Sequence, residues 1–193
     1  DGSAATITGD SVLLAAGSVP RLIPGFERGG PIMTSDEVLD LDVLPARVVV
    51  IGGGAIGCEF ASTFADLGSE VTILEGLPKI LPGLDADLAK VVEKSFKKKK
   101  IAIRTGVMVK GHTPNGSGGT TVAFGDDESV EVDAVVVSVG RRPFVDHLGL
   151  QGTGVVVDER GFVVVDEYCQ TAEPGVYAVG DLIATCMSPL SRN

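Results

Sequence analysis

The sequence predicts an α/β fold in which helices cover a parallel sheet, and three observations within residues 47–75 support this prediction. Residues 48–51 are an unbroken β-branched run, which is typical of a strand buried on both faces. Apolar residues then recur every three or four positions through residues 55–67, as they do in a helix with one buried face. A second apolar run at residues 71–74 completes a strand–helix–strand unit.

A glycine-rich turn joins the first strand to the helix. In the pattern G-x-G-x-x-G, Gly52 makes the tight turn, Gly54 lets the backbone approach a pyrophosphate, and Gly57 lets the helix lie close to the strand. The free N–H groups of the first helical turn attract the same anion. Such turns also occur without a ligand, but the register of strand, turn and helix favours dinucleotide binding. The residues assigned to it here are Gly52, Gly53, Gly54, Ala55, Ile56 and Gly57.

An acidic residue closes the second strand. Glu75 lies 23 positions after Gly52, close to the offset of about 20 at which a carboxylate accepts hydrogen bonds from an adenosine ribose. This carboxylate would repel a 2′-phosphate, and the segment that follows offers one lysine, Lys79, and no arginine. The sequence therefore favours NAD over NADP.

Composition excludes several classes of function. The 193 residues carry a formal net charge of -10, which disfavours nucleic acid as a partner. No apolar run approaches the roughly 20 residues that cross a membrane. The three cysteines and two histidines are isolated, so we expect neither a catalytic residue nor a metal site in this chain. Reduced thiols favour a cytoplasmic location, with the mitochondrial matrix as the alternative.

The segment before the central strand predicts short elements. Residues 6–16 alternate strand and turn signals, as in a hairpin. The second of these strands ends at Ala16, Gly17 and Ser18, where small side chains could admit a ligand to the backbone or simply end the strand. Thr34 or Ser35 is expected to cap a helix at residues 36–39.

The segment after Glu75 predicts a second helix and several strands. Residues 86–100 are amphipathic, and the lysines at 97–100 suit the negative end of a helix dipole better than they suit a nucleic-acid site. The residues predicted to face inward are Leu88, Val91, Val92 and Phe96. The predicted strands are 101–104 (parallel), 105–109, 120–124 and 130–132 (an antiparallel meander), 134–139 (buried), and a hairpin of 155–157 with 162–165.

Two further strand ends suggest ligand contacts. Gly140 follows a buried strand, at the end where open sheets hold their ligands. The next two residues, Arg141 and Arg142, could contact phosphate or be exposed loop residues. Asp181 follows the apolar strand 176–179 and suggests a second site, for a ligand rich in hydroxyl groups.

Four strings, in order over nearly the whole chain, resemble one family, the flavoprotein disulfide reductases that bind NAD and FAD. The strings are LLAAGSVPRLIPG, VVVIGGGAIGCEFASTFADLGSEVTILE, SVGRRPFVDHLGL and GVYAVGDL. Within the family the sequence is most similar to the dihydrolipoyl dehydrogenases, and mercuric reductases are an alternative.

The resemblance implies a role for particular residues. Val107 and Gly140 would lie near the adenine of NAD, and Glu59 near the nicotinamide, unless Glu59 is simply a solvated residue of the first helical turn. The residues that would contact FAD are Ala16, Gly17, Ser18, Asp181 and Met187. The domains expected are a partial FAD-domain strip at 1–43, a Rossmann-like NAD-binding domain at 44–143, and a second partial strip at 144–193.

The resemblance also implies a reaction. In the dihydrolipoyl dehydrogenases, the resemblance implies that electrons pass from dihydrolipoamide through a cysteine pair and FAD to NAD, in a homodimer that belongs to a 2-oxoacid dehydrogenase complex. The FAD fingerprint, the cysteine pair and the interface domain with its catalytic histidine and glutamate have no counterpart in this sequence. We therefore expect the chain to bind NAD without dehydrogenase activity. A stand-alone nucleotide-binding module with a sensing role is the alternative.

Overall fold

The computed structural model describes residues 5–184. Residues 20–140 form one compact unit, and the described residues before 20 and after 140 form another. The elements in chain order are β1 (Val12–Leu14), β2 (Ser18–Pro20), β3 (Ile32–Met33), α1 (Ser35–Val38), β4 (Arg47–Ile51), α2 (Ala55–Leu67), β5 (Glu70–Glu75), α3 (Ala86–Lys98), β6 (Ala102–Thr105), β7 (Val109–Pro114), β8 (Thr120–Phe124), β9 (Glu128–Val132), β10 (Ala134–Val137), β11 (Arg141–Pro143), β12 (Val176–Ala178) and the 3₁₀ turn Gly180–Leu182.

The central unit is built on a parallel sheet with the strand order β3-β10-β4-β5-β6. In its middle, Val50 lies between Val136 on β10 and Ile73 on β5, and all three side chains are buried. The predicted α/β class with a parallel sheet is confirmed. Because the strands are parallel, the carboxyl ends of β4, β5 and β10 meet at one edge of the sheet.

Helix α2 covers one face of this sheet. It begins after Gly54 and ends at Gly68, whose φ of 106° is left-handed. The N–H of Gly68 donates to the carbonyls of Phe64 and Ala65. Ala61 and Phe64 are buried in the same apolar cluster as Val48 and Val50. The helix predicted from the spacing of apolar residues therefore forms, and it packs on the strand that leads into it.

Helix α3 forms, and the prediction of its buried face is confirmed only in part. Leu88 and Val91 were expected to face inward, but they are 56% and 66% exposed. Phe96 is buried and Val92 packs partly buried against the core, as predicted, whereas buried Ala89 was not predicted. The inward face of α3 therefore runs through Ala89, Val92 and Phe96, at the three- and four-residue spacing of one helical face.

The antiparallel meander β7-β8-β9 forms, but its first strand begins later than predicted. Residues 105–109 are not a continuous strand, because the chain turns at Gly106, whose φ is 69°. The N–H of Gly106 donates to the carbonyl of Leu77, and the N–H of Val107 donates to the carbonyl of Glu75. These two hydrogen bonds hold the turn against the end of β5, and β7 starts only at Val109.

The flanking unit has its own small core and a topology that the sequence did not predict. The hairpin expected in residues 6–16 is wrong, since β1 pairs in parallel with β12. The hairpin of 155–157 with 162–165 is reduced to one bridge, between Val157 and Val163. The core residues of this unit are Val163, Ala178, Leu182 and Ile183.

Residues 20–43 belong to the central unit. Ile32–Met33 is the edge strand beside β10. Thr34 caps α1, its hydroxyl accepting the N–H of Asp36 while its own N–H donates to Glu37 at 2.7 Å. The division of the chain at 43 and 143 by cofactor remains a prediction.

Candidate functional site

A cleft of about 490 Å³ opens where the carboxyl ends of β4, β5 and β10 meet. Its floor is the glycine turn after β4, and its walls come from the segments after β5, β6 and β10. The lining residues are Ile23, Ile51, Gly52, Gly54, Glu75, Gly76, Leu77, Pro82, Val107, Met108, Val109, Ser138, Val139 and Gly140.

Each glycine of the motif has a steric reason in the structure. Gly52 has a φ of 107°, and a β-carbon there would overlap the carbonyl oxygen of Ser138. A β-carbon at Gly57 would overlap the carbonyl oxygen of Gly52, so Gly57 is what lets α2 lie against β4. At Gly54 nothing lies within 4 Å of the added atom, so the backbone there is open to a ligand.

The backbone of Gly53 is hydrogen-bonded to three other parts of the site. Its N–H donates to Oε2 of Glu75 at 2.5 Å, and its carbonyl accepts from the N–H of Leu81 at 2.7 Å and from the thiol of Cys58 at 3.4 Å. A β-carbon at Gly53 would come within 2.8 Å of Ile80. The sequence motif leaves this position variable, so the packing requirement for glycine could be found only from the structure.

Glu75 is buried, with 9% of its surface exposed. Its Oε1 accepts the N–H of Leu77 at 2.7 Å while Oε2 accepts that of Gly53. A carboxylate has about four lone-pair sites, so one remains on each oxygen for the hydroxyls of a sugar. The predicted site residue thus lies in the cleft and also fixes the glycine turn.

Gly54, which lines the cleft, directly precedes the first turn of α2 and provides no side-chain cap. The N–H groups of the first residues of α2, Ala55, Ile56 and Gly57, have no partner within the helix, as in any α-helix. Glu59 is exposed on this turn and does not line the cleft. Its predicted contact with nicotinamide stays a prediction.

Val107 and Gly140 lie on two other walls of the cleft. Their contact with adenine, which the resemblance implied, stays a prediction. The main chain at both positions is fixed, because the N–H of Val107 donates to the carbonyl of Glu75 and the carbonyl of Gly140 accepts the backbone N–H of Arg21 at 2.9 Å. Sequence reasoning missed the apolar lining contributed by the loops. These residues are Ile23, Leu77, Pro82 and Met108, and no motif marks them.

Cys58 lies beneath the turn. Burial raises the pKa of its thiol to about 11, and the negative charges of Glu75 and Glu59 act in the same direction. The thiol is therefore protonated at neutral pH and acts as a weak hydrogen-bond donor to Gly53.

The flanking unit carries a second, smaller cleft of about 320 Å³, which includes Ser18 and Asp181. The Ser18 hydroxyl donates to Oδ2 of Asp181 at 2.6 Å and accepts from Nε of Arg141 at 2.7 Å. Arg142 pairs with Asp146 at 2.7 Å. The structure thus brings Ser18 and Asp181 together and engages both arginines with protein groups.

The other residues assigned to this second site are near it in sequence or outside the described part. Ala16 and Gly17 precede Ser18, and Gly17 has a φ of 72° while its carbonyl accepts the N–H of Phe144. Met187 lies outside the described residues. Within residues 5–184 no three His, Cys, Asp or Glu side chains are grouped to hold a metal ion, and no helix is long and apolar enough to cross a bilayer.

Comparisons with known proteins give a consistent result. Residues 1–191 match the family profile described as "Pyridine nucleotide-disulphide oxidoreductase". The chain is 38% identical over 183 residues to the dihydrolipoyl dehydrogenase of Geobacillus stearothermophilus, a match that covers 94% of this chain and 39% of the relative. The Staphylococcus aureus dihydrolipoyl dehydrogenase is 41% identical over 183 residues with the same coverage. The chain therefore spans about two fifths of the length of these relatives.

Solved structures agree. The crystal structure of LpdA from Mycobacterium tuberculosis superposes with a TM-score of 0.83 at 32% identity, covering 91% of this chain and 38% of that one. The HOCl-induced flavoprotein disulfide reductase RclA from Escherichia coli gives a TM-score of 0.86 at 30% identity, covering 94% and 42%.

Proposed function

The chain belongs to the pyridine nucleotide-disulphide oxidoreductase family, and from this membership we propose that residues 20–140 bind NAD(H) as the electron-accepting part of a dihydrolipoyl dehydrogenase. The observation that carries the proposal is the buried carboxylate of Glu75 hydrogen-bonded to the glycine turn at the open end of a parallel sheet. Open α/β sheets bind dinucleotides at this edge.

The cleft fits the dinucleotide part by part. The open backbone at Gly54 and the uncapped start of α2 suit a pyrophosphate. The free lone pairs of Glu75 suit the hydroxyls of the adenosine ribose. Loop residues such as Leu77 and Val107 supply the apolar surface for the adenine.

When bound, nicotinamide accepts or releases a hydride. The residues of this chain would hold the cofactor without taking part in that step. The turn fixes the pyrophosphate, and Glu75 fixes the ribose at a distance set by its bond to Gly53. A fixed pyrophosphate and ribose leave the nicotinamide half few orientations, which is how binding groups remote from the reacting atoms contribute to catalysis.

NAD is preferred over NADP in this proposal. Both oxygens of Glu75 already accept backbone N–H groups, which keeps the carboxylate fixed at the ribose position. A 2′-phosphate placed there would meet a negative charge that cannot rotate away. The nearby Lys79 side chain is the one cation of residues 76–79 that could offset this repulsion.

Isothermal titration of the purified chain tests the proposal. We expect heat on addition of NADH and of ADP-ribose, and at least about tenfold weaker binding of NADPH because of the charge at Glu75. Absence of heat with NADH would overturn the assignment of the cleft. Equal affinity for NADH and NADPH would overturn the role of Glu75 while leaving the site in place.

The FAD contacts and the partners belong to the proposal for the longer enzyme. Asp181, held by Ser18, is proposed to accept hydrogen bonds from FAD hydroxyls, and Ala16, Gly17 and Met187 are proposed as further FAD contacts. A homodimer within a 2-oxoacid dehydrogenase complex in the cytoplasm is the proposed assembly. We expect no lipoamide turnover by the 193-residue chain, because Cys58 and Cys169 are both free thiols in the described residues. Stable FAD retention together with lipoamide turnover would contradict this expectation.

A reductase for another disulfide is the second candidate. The observation in its favour is the match to RclA, with a TM-score as high as 0.86. Steady-state assays of the full-length enzyme with NADH and a panel of disulfides, lipoamide among them, separate the two. A preference for lipoamide supports the first candidate.

A further inference from the structure

Met108 stands at the mouth of the nucleotide cleft with most of its side chain in solvent. It lines the cleft beside Val107 and is 70% exposed, although methionine is an apolar residue. Its sulfur lies over Gly76, since a β-carbon added at Gly76 would come within 3.1 Å of Sδ. Gly76 directly follows Glu75, so the thioether borders the proposed ribose position.

The backbone of Met108 is fixed on both sides. Its carbonyl accepts the N–H of Gly125 at 3.0 Å, and the preceding Val107 donates to the carbonyl of Glu75 at 3.1 Å. The side chain is therefore presented at a constant place, and only its own rotations move the sulfur relative to the cleft.

We propose that Met108 is an oxidation site through which peroxide lowers the affinity of the cleft for NAD(H); this inference rests on the proposed function. In the reaction the O–O bond of hydrogen peroxide breaks and one oxygen forms an S–O bond with the thioether. The sulfur is oxidised to the sulfoxide, and the peroxide is reduced to water.

The expected selectivity of oxidation for Met108 follows from the solvent exposure of the sulfur-containing side chains. Met33 is only 8% exposed, inside the core of the central sheet. The Cys58 thiol is buried and protonated, and it is the thiolate that reacts with peroxide. Within the described residues of the central unit, Met108 is therefore the sulfur most accessible to an oxidant.

The effect on binding follows from the chemistry of the cleft wall. Leu77 and Pro82 line the cleft with Met108 and give it an apolar surface against which a purine ring can pack. A sulfoxide replaces part of that surface with a polar, hydrated group, which must lose water when the ligand enters. We expect the dissociation constant for NADH to rise on the order of fivefold.

The experiment compares wild type, Met108→Leu and Met33→Leu, each with and without mild hydrogen peroxide followed by its removal. Peptide mass spectrometry measures oxidation at each methionine, and calorimetry gives the NADH affinity. Each variant is referred to its own untreated sample, so the ratio of treated to untreated affinity is the result. We expect peroxide to lower the NADH affinity of wild type and of Met33→Leu, but not that of Met108→Leu. We also expect Met108→Gln to bind more weakly than Met108→Leu without any oxidant.

Protection supplies a second measurement. ADP-ribose contains the adenosine and pyrophosphate but no nicotinamide ring, and at saturation it should slow oxidation of Met108 by covering the cleft. An unchanged rate, an equal loss of affinity in Met108→Leu, or full affinity after complete oxidation of Met108 would each overturn the inference. Failure of the untreated wild type to bind NADH would instead overturn the proposed function, and this inference with it.

Discussion

The carboxylate of Glu75 accepts the N–H of Gly53 at 2.5 Å, which ties the end of β5 to the turn that follows β4. The other carboxylate oxygen accepts the N–H of Leu77. One side chain therefore sets the distance between the predicted pyrophosphate and ribose positions, and it also orders the loop that begins the next wall of the cleft. We therefore expect Glu75 to contribute both to binding and to stability.

Glu75→Gln should impair both properties. An amide has one oxygen acceptor, so its NH₂ group would face one of the two backbone N–H donors and leave that donor unsatisfied. We expect the free energy of unfolding to fall by about 1–3 kcal/mol, and the affinity for NADH to fall on the order of tenfold. Urea denaturation and calorimetry measure the two effects.

Glu70→Gln is the matched control, because Glu70 lies on the same strand but is exposed at its other end. We expect it to change unfolding by no more than about 0.5 kcal/mol. If Glu75→Gln behaved like this control, the carboxylate would have neither role.

Alanine substitutions at two glycines of the motif should affect stability and NADH binding separately. Gly57→Ala places a methyl group against the carbonyl of Gly52, and the resulting overpacking should cost about 1–3 kcal/mol, more than the gain of up to about 1 kcal/mol from helix propensity. Gly54→Ala meets nothing within 4 Å and keeps an ordinary φ of -72°. It should leave stability nearly unchanged but weaken NADH binding, because the methyl group occupies the path of the pyrophosphate.

Thermal denaturation and NADH titration of both variants test this separation. A Gly54→Ala variant that binds NADH as well as wild type does would show that open space at this position has no role in binding, and a clearly destabilised Gly54→Ala would contradict the separation of the two effects.

The elements that the sequence predicted well are those with a single dominant signal. The run at residues 48–51 could pack only as a buried strand, and the glycine motif carries its own steric requirement at Gly57, which the structure shows directly. Glu75 could be placed by its offset from Gly52 because the helix between them has a nearly fixed length.

The elements that were predicted wrongly depend on contacts distant in sequence. β1 pairs with β12, which is more than 150 residues later and carries no local signal of that pairing. In α3, Ala89 was missed as a buried residue because it is adjacent to Leu88, and hydrophobicity alone favours the larger of the two. The apolar lining of the cleft that includes Met108 was also missed, because it comes from loops and the apolar residues of loops show no periodicity in the sequence.

The ion pair at the start of β4 should make stability depend on pH. Hydrogen bonds from the Arg47 side chain hold the pKa of Asp133 below its ordinary value of 3.8, against the opposing effect of burial, and Oδ1 lies 2.8 Å from Nη2. The folded state therefore binds a proton at Asp133 less readily than the unfolded state does. This stabilisation is complete above pH 3.8 and is lost as the pH falls through the lowered pKa.

Asp133→Asn removes the titrating group. We expect the variant to be less stable than wild type at pH 7, and the difference to shrink as the pH falls below 3.8. Asp127→Asn, in the exposed turn between β8 and β9, is the control and should show no such convergence. Urea denaturation at several pH values measures the difference, and a constant difference from pH 7 to pH 3 would contradict the prediction.

Cys58 should be inert in the folded protein. Because burial and two nearby carboxylates raise the pKa of its thiol to about 11, only about a thousandth of the thiols are ionised at pH 8, and alkylating reagents attack the thiolate. We expect iodoacetamide to leave Cys58 unmodified at pH 8 until urea unfolds the chain, as measured by peptide mass spectrometry.

Ligand binding provides the decisive comparison for Cys58. The thiol lies beneath the Gly53 peptide, so a reagent can reach it only when the glycine turn opens. In partly denaturing urea, NADH should therefore slow the alkylation of Cys58. The rate should fall by the same factor by which the ligand lowers the population of molecules with an open glycine turn. Cys169, in the other unit, is the internal control, since a ligand that acts only on the cleft should leave its rate unchanged. Equal protection of both cysteines would mean that NADH suppresses global unfolding and that the turn does not open by itself.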